Sequence, residues 1–268
     1  MNHTPLEPGR KAIAVSGHYG DELRVSEALF SRGRGLNNPR RPLFVLLHGW
    51  GSNEEDIAEF FGNYVSPHSD YVSLRAPLTL LDPNDMDPFD DPDFAACSTA
   101  PRYVPAPVTG AYTWFHEAVP SGEDLDRDIY AAAVAIDNWV ADFIPEEREV
   151  VPFGFSQGGA LAVHLMRLNP HRYKAAACLS GFLAPGIVEG SHPGDATFQM
   201  LSPSVFYGYG LKDDMIPRFE SNSLAAFLEE YSFLKLCEYR TLDHAVSLDE
   251  CNDLRQWLMD IGASSGVM

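Results

Sequence analysis

No stretch of the 268-residue chain approaches the roughly 18 consecutive apolar residues that a membrane-spanning helix needs. Met1 to Arg10 also contains no uninterrupted apolar run of the kind that directs export. The expectation is a soluble, cytoplasmic protein. Cysteine is scarce: Cys97, Cys178, Cys237 and Cys251 are widely spaced, with no C-x-x-C pair, so neither a zinc knuckle nor a redox motif is indicated. Cys178 and Cys237 fall in strand-like runs, where a reduced thiol packs as a small hydrophobe. Positive charge is scarce as well, 19 Lys and Arg against 38 Asp and Glu, for a formal net charge of -19. Such a surface repels nucleic acid and anionic headgroups, although salt screens the repulsion beyond about 8–10 Å. Neither a nucleic-acid partner nor a polybasic membrane anchor is expected. H-E-x-x-H and comparable ligand clusters are missing, which sets aside a metal-dependent hydrolase. The spacing of a calcium loop is also absent, despite Asp82, Asp85, Asp87, Asp90, Asp91 and Asp93. No metal and no cofactor are expected.

What remains is ordinary globular usage, 45% apolar and 21% charged, in a chain long enough for one large α/β domain spanning 1–268. A β-hairpin is expected at about 11–30, built on Lys11 to Val15, a Gly17 to Gly20 turn and Leu23 to Phe30. Pro42 to Leu47 is a continuous apolar run, the pattern of a parallel strand covered on both faces. Ser52 and Glu55 have capping-box spacing and open a helix carrying Ile57, Phe60, Phe61 and Tyr64. After a short strand at Tyr71 to Leu74, the pattern dissolves into an acidic, proline-rich stretch at about 78–109, read as a lid or insert. Ser121 can cap a helix with an apolar stripe from Leu125 to Phe143. Further on come strands at Ala175 to Ser180, Val205 to Gly210 and Leu234 to Tyr239, a patternless loop from Gly181 to Gln199, and helices at Phe219 to Tyr231 and Ser247 to Ile261. Alternation of this kind predicts a mostly parallel central sheet flanked by helices on both faces.

The most informative stretch is Gly154-Phe155-Ser156-Gln157-Gly158-Gly159, between an apolar β-prone run from Val150 and a helix-prone run through Met166. Strand, sharp turn and helix are the context of a nucleophile elbow, and the bend around such a serine needs glycine two residues before and after it. A serine hydroxyl is a weak nucleophile until a base takes its proton, and the base needs an acid to hold its tautomer. With the chain order serine, acid, histidine, the acid should follow a late strand. Asp213 and Asp214 both do, and spacing alone does not separate them. Of the later histidines, His164 and His171 read as structural, His192 precedes the candidate acids, and His244 lies after the last strand, where the base belongs. A developing oxyanion needs fixed donors: the backbone N–H of Gln157 at the helix N-terminus, and that of Trp50 in His48-Gly49-Trp50-Gly51. His48 reads as a support for that loop.

Over roughly residues 40–262 the chain resembles the carboxylesterase, phospholipase and acyl-protein thioesterase-like branch of the α/β-hydrolases. The resemblance rests on Leu47 to Gly51, Arg75-Ala76-Pro77, Trp114-Phe115, Gly154 to Gly159, Leu179-Ser180-Gly181, Gly210 to Asp213 with Ile216-Pro217, and His244. It implies the α/β-hydrolase fold and a cofactor-independent serine carboxylesterase. Within that implication Asp213 rather than Asp214 is the acid beside Ser156 and His244, Trp50 and Gln157 form the oxyanion hole, and Trp114 lines the acyl pocket with Phe115. The chain departs from the family pattern at Tyr209, His116 and Leu242-Asp243. The expected partner is a small-molecule ester or thioester. Lysophospholipase or acyl-protein thioesterase chemistry is the alternative, and a non-catalytic binding protein on the same scaffold is a further one. Acyl length, leaving group and oligomeric state are not specified by these residues, and a homodimer is left open.

Overall fold

The computed structural model describes residues 13–16, 22–25, 27–31, 41–81 and 110–263. The Gly17 to Gly20 turn, Cys97 and the acidic stretch over 82–109 lie outside the described residues. Ile13–Ser16 (β1) and Glu22–Val25 (β2) pair antiparallel as a two-stranded sheet of their own. Ala28–Phe30 (β3) instead joins the main sheet, antiparallel to Asp70–Leu74 (β5).

Leu43–Leu47 (β4) is buried along its whole length because β5 and Val150–Phe155 (β8) flank it in parallel and helices cover both faces. Glu54–Phe60 (α1) and a π-helical turn, Phe61–Val65, follow it. The cap of α1 differs from the Ser52 expectation. Asn53 Oδ1 accepts from the N–H groups of Glu55 and Asp56, each at 2.9 Å, and the Ser52 hydroxyl donates to Asp56 at 3.0 Å. An amide one residue later thus satisfies two orphan donors of the first turn together. The stretch read as patternless from Leu78 opens with a strand, Leu78–Leu81 (β6), paired antiparallel with Ala111–Thr113 (β7).

Gly122–Phe143 (α2) ends before Pro145. After β8 come Gln157–Leu168 (α3), Ala175–Leu179 (β9), Asp195–Leu201 (α4), Ser204–Gly210 (β10), Arg218–Tyr231 (α5), Phe233–Tyr239 (β11) and Leu248–Asp260 (α6). The sheet order is β11-β10-β9-β8-β4-β5-β3, parallel except for β3. Alternate side chains of β4 divide between two cores. Leu43, Val45 and Leu47 pack in the core with α2, α3, α4 and α5, and Phe44 and Leu46 in the core with α1, the π turn and α6. Pro152, which has no N–H to donate, lies in a gap in the pairing on the β9 side of β8, between a bridge at Val150 and Tyr173 and the β8–β9 register that begins at Phe153 and Ala177.

From β4 the chain steps outward to β5, then returns to place β8 on β4's other side. Strand order reverses there, and in open α/β sheets the crevice beyond the carboxyl ends at such a point is where ligands bind. The loop after β4 and the turn after β8 both open into it.

One interior feature stands apart. Ser247 caps α6, its hydroxyl accepting from the Glu250 N–H at 3.1 Å. The Glu250 carboxyl does not reach back to complete a capping box; it is fully buried, and neither oxygen has a hydrogen-bond partner among the described residues. It fills the space where Gly208 of β10 lacks a side chain. Burial pushes its pKa up from 4.5 to about 8.

Candidate active site

Ser156 stands at the junction of β8 and α3 with φ 57° and ψ -118°. A positive φ is costly for serine, on the order of 1–3 kcal/mol, and persists only where packing over-determines it. Here the packing is backbone on backbone. A Cβ on Gly154 would fall on the Gly158 carbonyl, and one on Gly158 would fall on the Leu47 carbonyl of β4. The Ser156 N–H is further tied to the Leu179 carbonyl of β9 at 2.9 Å.

The Ser156 hydroxyl lies 3.0 Å from Nε2 of His244, and His244 Nδ1 lies 2.7 Å from Oδ2 of Asp213. A carboxylate accepts from Nδ1–H, so Nε2 carries the lone pair and faces the serine hydroxyl. The Phe155 ring packs against the imidazole at 4.8 Å between centroids. Asp213 is itself held, its Oδ1 accepting from the N–H groups of Met215 at 3.0 Å and Ile216 at 2.9 Å. Asp214 is exposed, so of the two adjacent carboxylates only Asp213 meets the histidine. His164 and His192 lie elsewhere. His164 is buried against the Ser191 carbonyl at 2.8 Å, its pKa lowered to about 3 by burial, and His192 contacts Ser191.

The loop after β4 is braced from below. His48 is fully buried, Nε2 accepting from the Ala76 N–H at 3.1 Å and Nδ1 donating to the Gly49 carbonyl at 2.7 Å. Burial lowers its pKa to about 4, so it stays neutral. The Gln157 side chain does work that its place in the motif did not announce. Its Oε1 accepts from Thr113 Oγ1 at 2.9 Å and Trp114 N–H at 3.1 Å, and its Nε2 donates to the carbonyls of Glu117 at 2.8 Å and Ala118 at 3.1 Å. All four of its hydrogen-bonding sites are used, which staples 113–118 beside the nucleophile. Among the described residues the backbone N–H groups of Trp50 and Gln157 have no acceptor. They stand on the two loops at the switch point and can serve an incoming oxygen.

A family model described as Phospholipase/Carboxylesterase matches residues 105–261. The chain belongs to the phospholipase/carboxylesterase family. It is 30% identical over 229 residues to an acyl-protein thioesterase 1 from Kluyveromyces lactis, covering 82% of this chain and 92% of that protein. It is also 30% identical over 162 residues to a probable carboxylesterase from Oryza sativa subsp. japonica, covering 54% of this chain and 57% of that one. The crystal structure of Zea mays acyl-protein thioesterase 2 superposes with a TM-score of 0.64 at 18% identity, over 87% of this chain and 98% of that chain. The fold is that of the α/β-hydrolases, as the residues predicted.

In this family member an open cavity of about 450 Å³ adjoins Ser156 and His244, with Trp50, Asp56, Phe60, Val119, Met215 and Val246 among its walls. Trp114 and Phe115, expected from the family resemblance to contact substrate, are not part of that wall. Trp114 is only 1% exposed and Phe115 fully buried. The Trp114 indole N–H donates to the His48 carbonyl at 2.9 Å, so the ring lies beneath the β4 loop and carries it. Phe115 packs edge-on against Phe182 at 6.2 Å between centroids. His116, a departure from the family pattern, is held by Asp128 through both its N–H, at 2.9 Å, and Nδ1, at 3.0 Å. Among the described residues no group of three His, Cys, Asp or Glu side chains is placed to hold a metal ion, and no helix is long and apolar enough to cross a membrane.

Proposed function

We propose that this chain is a serine carboxylesterase that works through an acyl-enzyme. The observation that carries the reading is the unbroken run of contacts from the Ser156 hydroxyl through His244 to Asp213, with the serine held in a strained bend. Ser156 Oγ attacks the ester carbonyl carbon as His244 Nε2 takes its proton, and the carbonyl π electrons move onto oxygen. The N–H groups of Trp50 and Gln157 stabilise that oxyanion, the second aided by the N-terminus of α3. Collapse of the tetrahedral adduct breaks the bond to the alcohol, which leaves with the proton from His244. Water then attacks the acyl carbon, giving a proton to the same nitrogen. The second collapse releases the carboxylic acid and returns the proton to Ser156. Asp213 stabilises the imidazolium at each stage.

A thioester would follow the same steps with a thiol leaving. In that second reading, acyl-protein thioesterase chemistry is favoured by the likeness to the Kluyveromyces lactis protein over 92% of its length, and lysophospholipase chemistry by the match to the phospholipase/carboxylesterase family. The test is hydrolysis of p-nitrophenyl esters from acetyl to palmitoyl by the wild type and Ser156→Ala. Activity peaking at short chains and vanishing in the mutant is the expected result. A peak at long chains moves the assignment to the second reading. Activity that survives in Ser156→Ala refutes the mechanism. A wild type that turns over nothing and is not labelled at Ser156 by a fluorophosphonate makes the chain a binding protein on this scaffold.

A further inference from the structure

Two side chains of the cavity beside Ser156 have no part in the hydrolytic steps. The first is Asp56, which lines the cavity and is exposed. Its pose is set rather than free. Oδ2 accepts from Ser52 Oγ and from Asn53 Nδ2, each at 3.0 Å, while Oδ1 accepts no hydrogen bond among the described residues. The second is Trp50. Its backbone N–H suffices for an oxyanion role, yet its residue is 47% exposed and lines the same cavity, the opposite of what burial of a large aromatic ring favours. Among the described residues lining the cavity no lysine or arginine occurs, and His48 is neutral. The remaining walls include Phe60, Val119, Met215 and Val246, which offer nothing to an anion.

A fixed carboxylate, an exposed indole and apolar walls without a counter-cation form an environment that favours a bulky, weakly hydrated cation. The carboxylate supplies charge, the indole face a cation–π contact, and the walls contact for alkyl groups. The same arrangement repels a carboxylate or phosphate, and the chain's net charge of -19 adds to the repulsion at longer range. We infer that the cavity selects substrates carrying a quaternary ammonium or protonated amine near the scissile carbonyl, with Asp56 and Trp50 as the residues that determine specificity. This rests on the esterase reading of Ser156 and deepens it.

The test compares acetylcholine with its neutral isostere 3,3-dimethylbutyl acetate, which differ in charge and scarcely in shape. The wild type should favour the cation by about three- to tenfold in kcat/KM at low salt, the size of an exposed ion pair combined with a cation–π contact. The ratio should fall toward one in Asp56→Asn, below one in Asp56→Lys, and be reduced in Trp50→Leu, which keeps the backbone N–H. Asp260→Asn, on the far end of α6, should leave the ratio at its wild-type value. A wild-type ratio of one, or a ratio that ignores both Asp56 and Trp50, overturns the inference. Titrating the two compounds into the Ser156→Ala chain separates it from the esterase reading. Equal affinities there overturn the specificity inference whatever the wild type does. Tighter binding of the cation in a protein whose wild type hydrolyses no ester upholds the cavity and refutes the hydrolytic role.

Discussion

Glu250→Gln should raise stability, by an amount that grows with pH. The carboxyl is fully buried against Gly208 without a partner, and its pKa is raised from 4.5 to about 8. Between those values the folded chain holds a proton that the unfolded chain has released. Stability therefore falls as pH rises through the window, by about 1.4 kcal/mol per pH unit, reaching about 3 kcal/mol at neutral pH. An amide of the same shape does not titrate, so the variant lacks this slope. His48 and His164, held neutral with pKa values near 4 and 3, act in the opposite direction, since their contribution is lost as pH falls below 6.5. They are common to both proteins and cancel in the difference. Urea unfolding followed by far-UV circular dichroism, at steps from about pH 5 to pH 8, gives that difference. The gap between variant and wild type should widen steadily with pH. Curves that stay parallel would mean that Glu250 ionises normally, and the reasoning from burial would fail.

Three further outcomes follow from the site. Asp213→Asn should lower kcat by about 10³ to 10⁴, by loss of the carboxylate that holds the Nδ1–H tautomer, while Asp214→Asn leaves the rate of ester hydrolysis near that of the wild type. Gly158→Ala should abolish stable folding or activity, since its methyl group falls on the Leu47 carbonyl; a soluble, active alanine variant would show that β4 and α3 can move apart. Gln157→Ala removes four hydrogen bonds, two of them buried and two part-buried, and should cost about 2–4 kcal/mol in thermal or urea unfolding, whereas Gln157→Glu, with an acceptor in place of the Nε2 donor, should be no better.

The frame, and the residues proposed to react, each leave a local mark in the sequence. β4 is an unbroken apolar run, the bend at Ser156 demands glycines at fixed offsets, and the chain order of the acid and base follows from which strands end near the nucleophile. What stayed hidden depends on contacts distant in sequence. Trp114 and Phe115 look the same in the chain whether they face a ligand or brace a loop; the hydrogen bond to the His48 carbonyl decides for Trp114, and full burial against Phe182 for Phe115. Spacing alone did not separate Asp213 from Asp214; the family resemblance named Asp213, and its carboxylate is the one that lies 2.7 Å from His244 Nδ1. α4 has seven residues and no side-chain cap, too little for periodicity to stand out in the Gly181 to Gln199 loop. The staple made by Gln157 had no signal beyond its place in the motif. A buried Glu250 runs against the ordinary reading of a glutamate in the first turn of a helix as exposed and favourable to the dipole.

The parts of this site are borne by connections that follow β4, β8, β10 and β11, all at one edge of a sheet whose interior is locked by close backbone contacts. Such a division lets the molecule be revised in pieces. The parts of those connections away from Asp213 and His244 can lengthen or shorten without moving the strand that precedes them, so new substrates can be explored while the contacts of Ser156 keep their spacing. The Ser156 bend is the exception, because it has no slack on any side. Descendants of this chain can be expected to vary freely around that turn and hardly at all within it.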